Sequence, residues 1–79
     1  MNEKIIKSIV SSIYELTDDS SLEKEVISWG DIPKSEQLLN FLNDPIKSKQ
    51  ATVVVKAAIE ILLEFIIEYE KYNLSNMLY

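Results

Sequence analysis

The sequence predicts an all-α fold, a small bundle of three short helices and one long C-terminal helix, and three observations carry that expectation. A single glycine and two prolines stand in 79 residues, too few for the turns an all-β chain needs every ~8 to 12 residues. Hydrophobic residues make up 47% of the chain and charged residues 27%, the balance of a folded domain and not of a disordered one. Apolar residues also recur at helical spacing in successive stretches. A chain of this length closes one hydrophobic core, so residues 1–79 are expected to form a single helical domain.

Residues 3–16 place Ile5, Ile6, Ile9, Val10, Ile13 and Leu16 on one face and Glu3, Lys4, Lys7, Ser8, Ser11, Ser12 and Glu15 on the other, which defines an amphipathic first helix. The following "TDDSS" ends it, because Asp and Ser side chains satisfy backbone groups outside a helix. Asp18 and Asp19 suit the N-terminus of the next helix, and Ser20 with Glu23 three residues on has the spacing of a capping box. Leu22, Val26 and Trp29 then line a second helix of about two turns, with Gly30 at the position of a left-handed C-terminal cap. Pro33 suits the first turn of a third helix, whose apolar face is Leu38, Leu39, Phe41 and Leu42. Asp44 and Pro45 read as N-cap and first residue of the fourth, with Ser48 an alternative start.

No breaker follows until about Asn73, so the fourth helix is expected to be long. Some 25 residues at 1.5 Å each span roughly 38 Å, more than the diameter of about 30 Å of a compact chain this size. The helix therefore overhangs a spherical monomer, or the fold is elongated. Within it, "ATVVV" could in isolation be a strand.

Lys56, Glu60, Glu64 and Glu68 form a narrow charged stripe on this helix, and apolar residues fill most of the remaining circumference. An ionised group in every turn rules out a membrane span. The apolar arc exceeds the ~100° that an ordinary surface helix buries. Either the preceding helices wrap it or a second copy covers it, and the sequence leads us to expect a homodimer through Ala58, Ile59, Leu62, Leu63 and Ile66, with Ala57 and Ala58 permitting a close crossing. The order of charge points the same way. Lys47, Lys49 and Lys56 precede Glu60, Glu64, Glu68 and Glu70, which opposes the helix dipole. An antiparallel copy would relieve that mismatch, and so would a basic protein partner laid along Glu60, Glu64 and Glu68. The plainer alternative is that those glutamates are only the solvated side of a core helix.

Catalysis finds little to work with. There is no cysteine and no histidine, which removes the commonest metal ligand and general base, and none of the nine serines has an evident activating base. "DDSSLE" lacks the alternating oxygen ligands and central glycine of a calcium loop. No enzyme activity, metal or cofactor is expected. The net charge of −5 and the absence of arginine, all eight basic residues being lysine, argue against nucleic acid.

Residues 22–42 nevertheless contain a helix, a glycine turn and a second helix, so a helix-turn-helix DNA-binding regulator is the alternative reading. Asp31 stands where an apolar residue anchors that motif, placing Ile32 there instead would bury Gln37 and Asn40, and Lys34 is the only basic residue on its second helix. Trp29 is either a core residue or an exposed partner-binding anchor beside the Gly30 turn, and Tyr14 belongs to the core or its rim. In the tail, Asn73-Leu74-Ser75 is formally a glycosylation site, while Met77, Leu78 and Tyr79 either pack back or dock elsewhere.

The start, "MNEKIIKSIVSSIYEL", has spaced apolar positions and no signal pattern, so a cytoplasmic location is expected. Abundant Ile, Lys, Asn and Tyr suit an AT-rich genome, as in some bacteria and phages. The expectation for function is a non-enzymatic interaction module, a small acidic helical regulator or inhibitor, comparable in size and charge alone to bacteriocin immunity proteins and phage-encoded inhibitors. A structural subunit of a larger assembly is a further possibility.

Overall fold

Apolar spacing, caps and the few turn residues resolve into five helices in the computed structural model, which describes residues 3–17 and 19–78, with side chains as far as residue 74. Asp18, Tyr79 and the side chains of Met77 and Leu78 lie outside the described residues, as does that of Ser75 in the formal glycosylation site. The helices are α1 (Glu3–Leu16), α2 (Ser20–Trp29), α3 (Ser35–Asn43), α4 (Pro45–Lys49) and α5 (Val53–Leu78). The all-α bundle with a long C-terminal helix is what the sequence predicts, except that α4 is a separate element.

The caps explain where each helix begins. Asp19, not Ser20, is the N-cap of α2: its carboxylate accepts the N–H groups of Ser21 at 2.8 Å and Leu22 at 3.3 Å. Gly30 ends α2 with φ 76° and ψ −165°, a positive-φ extended conformation open to glycine alone. Pro33 does not start α3, as the sequence suggested. It lies buried two residues ahead of Ser35, and the Gln37 side chain accepts the N–H of Lys34 at 2.9 Å. Asp44 caps α4 through the N–H groups of Ile46 and Lys47, and Pro45 is its first residue. Those backbone donations, Lys47's the larger, hold the Asp44 carboxyl below the ordinary aspartate value.

The expected continuous fourth helix breaks at residues 50–52. No glycine or proline causes the break. Thr52 instead acts as a new N-cap, its hydroxyl accepting the N–H of Val55 at 3.2 Å, and the β-branched run Val53–Val55 then continues as helix and not as strand.

α5, 26 residues long, sets the elongated outline of 43 × 23 × 19 Å. Its Val55, Ile59, Leu62 and Ile66 are buried, as are Ile6 and Ile13 of α1, Leu22, Val26 and Trp29 of α2, and Leu38 and Phe41 of α3. These residues form one core. Two contacts fix how the short helices sit on the long one: the Tyr69 hydroxyl donates to Glu3 at 2.8 Å, and Glu70 accepts both the N–H and the hydroxyl of Ser35 at 2.9 and 2.7 Å. α1 and α3 therefore begin at the same level of α5, and α4 returns the end of α3 to the start of α5.

Glu70 thus closes the N-terminus of α3 from 35 residues away, where a negative group meets both free backbone donors and the positive end of the helix dipole. Reading Glu70 only as one of the glutamates set against the dipole of the long helix missed this role.

Candidate functional site

α5 has two apolar stripes offset by one residue. Val55, Ile59, Leu62 and Ile66 face inward at 0–1% exposure, whereas Val54 and Ile61 are 62% and 51% exposed and Tyr72, further along, is 46% exposed. One residue is a 100° step round the helix, so these three residues share a face that the other four helices leave open. Ala57 lies on the same face and is exposed; Ala58 and Phe65 flank it, half-buried.

Glu60, Glu64 and Glu68, the carboxylates expected to meet a partner, are all exposed along one edge of that face. Glu68 is 3.8 Å from Lys71, with both side chains largely in solvent, a pairing that adds little stability. Glu60 and Glu64 make no ion pair among the described residues. The outer face of α5 is consequently a mixed surface, apolar on one side and acidic on the other.

Other expected site residues lie elsewhere. Trp29 is no surface anchor, being 5% exposed. Its ring packs edge-on against Phe41 at 5.8 Å between centroids, and its Nε1–H donates to Glu25 at 3.2 Å, so an apolar body and a polar tip are both satisfied in the core. Glu25 also pairs with Lys47 of α4 at 3.1 Å. Ile59, Leu62 and Ile66, expected at a dimer interface, are already covered by this chain's own helices at 0% exposure. Ala58 and Leu63 are half-buried against the same core. The wrapped arrangement therefore accounts for the stripe assigned to a second copy.

A second surface feature was not foreseen. An open groove of about 420 Å³ runs between α1 and α2, lined by Val10, Ser11, Tyr14 and Glu15 on one side and Val26, Ile27, Gly30 and Asp31 on the other. Tyr14 is 41% and Ile27 60% exposed. The Tyr14 hydroxyl donates to Glu23 at 3.2 Å, and that hydrogen bond, followed by the carboxylate's charge, raises the phenol above its ordinary pKa. The available signal was Ile27, an apolar residue off the stripe of Leu22, Val26 and Trp29.

Among the described residues no group of three acidic, histidine or cysteine side chains could hold a metal, and no helix is long and apolar enough to cross a membrane. In the helix-turn-helix region, Asn40 is exposed and Gln37 half-buried, not both buried, and the N-terminus of α3, which that reading would aim at DNA, is occupied by the Glu70 carboxylate. No family model, curated protein or solved structure matches the chain.

Proposed function

We propose that the protein is a non-enzymatic interaction module, a small acidic helical regulator that binds a basic segment of another protein along the outer face of α5. The observation that carries this reading is the juxtaposition of exposed Val54, Ile61 and Tyr72 with exposed Glu60, Glu64 and Glu68 on one helix. An amphipathic helix with an apolar stripe and a lysine or arginine row complements both halves of that face. Apolar contact supplies affinity, and the carboxylates supply orientation and rate of encounter.

A second copy fits less well. Its outer face would bring carboxylates against carboxylates, and of the three lysines expected to relieve them Lys47 and Lys49 lie on α4, which leaves Lys56 alone on α5. Binding to DNA gains nothing from a carboxylate at the N-terminus of α3.

The test is fluorescence anisotropy with a labelled amphipathic helical peptide of leucine and lysine. Binding should weaken as salt is raised and be lost in the triple variant E60K/E64K/E68K, with far-UV circular dichroism unchanged. Undiminished binding by a folded triple variant refutes the proposal.

A further inference from the structure

We infer that the groove between α1 and α2 is a binding site for a protein segment presenting one aliphatic or aromatic side chain beside a lysine or arginine. The inference rests on the reading above that the chain acts by binding another protein, and it adds a contact separate from α5. Its shape comes first. Val26 is buried and Val10 half-buried, while Tyr14 and Ile27 stand exposed on the two helices. An apolar side chain inserted there would withdraw the accessible surfaces of Val10, Tyr14 and Ile27 from water at once. At about 420 Å³ the groove falls within the range of about 300–1,000 Å³ typical of ligand clefts.

Charge selects the occupant. Glu15 and Asp31 are exposed in the lining and make no ion pair among the described residues. Glu23 adds a third carboxylate beside Tyr14. No lysine lines the groove; Lys7 stands one turn before Ser11 on α1. A cation next to the inserted apolar group is therefore attracted, whereas a phosphate backbone or a second acidic copy is repelled. The groove is open at the end of α2, where a Cβ built on Gly30 would meet nothing within 4 Å. A segment longer than one side chain has room to leave the site.

The experiment is a titration of the ¹⁵N-labelled full chain, at low ionic strength, with the capped peptide Lys-Ser-Leu-Ser-Lys and with its counterpart carrying serine for leucine. The leucine peptide should shift the amides of Ser11, Tyr14, Ile27 and Gly30, and the serine peptide should leave them in place. Affinity should fall roughly tenfold in Ile27→Asn, which removes the apolar wall, and several-fold in E15K/D31K, which reverses the local charge. All three positions are exposed, so the variants keep the fold. Equal response to both peptides, shifts centred on Glu60, Glu64 and Glu68, or no shifts at all would overturn the groove assignment. The α5 reading fails separately: E60K/E64K/E68K leaves the groove intact, and E15K/D31K leaves the α5 face intact.

Discussion

Ile61 and Leu62 are neighbours in sequence and opposites in structure. Leu62 is fully buried and Ile61 half in water, and the same contrast separates Val55 from Val54. Hydrophobicity cannot explain it, since isoleucine and leucine bury with comparable gain. The difference lies in where α1 and α3 pack against α5. The inner stripe holds the molecule together, and the outer stripe is left exposed. Its largest test is a pair of truncations. Leu62→Ala should cost about 2–5 kcal/mol by urea unfolding, through lost burial and the cavity left behind, while Ile61→Ala should change stability by no more than about 0.5 kcal/mol. A large loss at Ile61 would mean that the outer face is already covered, and the comparison would collapse.

Glu70 sharpens the contrast among the carboxylates. Glu60, Glu64 and Glu68 point to solvent, whereas Glu70 reaches across to two donors of Ser35. Replacing Glu70 by Gln keeps the shape and removes the charge from the start of α3. We expect a loss of about 1–2 kcal/mol with faster amide exchange in the first turn of α3. The equivalent change at Glu60 should leave that exchange unaltered.

Thr52 decides where the two stripes begin. Without its cap on Val55, α4 and α5 have no polar side chain marking their division, and Thr52→Ala should lower stability by about 1 kcal/mol. The loss should be confined to the first turn of α5 in amide exchange; an unchanged first turn would assign the break to packing of α4 instead.

These positions also show what the sequence could and could not convey. Helix existence was legible because the spacing in α1 and the triplet Leu22, Val26, Trp29 is periodic, and the Asp44-Pro45 start was legible because its chemistry is local. The break at 50–52 was not, since Thr52 stands in a run of residues with no glycine or proline and its capping role depends on Val55 being helical. Which stripe of α5 faces inward was illegible for a different reason. Both sides are apolar, so periodicity gives no preferred direction, and only long-range contacts such as Tyr69 with Glu3 and Glu70 with Ser35 settle it. Of the candidate site, Glu60, Glu64 and Glu68 could be found from their spacing. Trp29 was misplaced because an aromatic beside a glycine turn serves equally well as core or anchor, and Glu25, which satisfies its ring nitrogen, carries no mark of that role in the sequence.

The smallest expected effect concerns the acidic edge itself. Glu64 has like-charged neighbours one turn away on both sides, Glu60 and Glu68, and all three are exposed. Each i, i+4 repulsion costs about 0.2–0.5 kcal/mol. Glu64→Lys converts both repulsions into attractions. The variant should therefore be slightly more stable than the parent at low ionic strength, by a few tenths of a kcal/mol per pair, and the gain should fade in high salt. If the row were only a solvated face, nothing else would change. If it is the surface that meets a basic helix, the same substitution should weaken the leucine–lysine peptide while strengthening the fold, an opposition of stability and binding that a merely structural row of glutamates cannot produce.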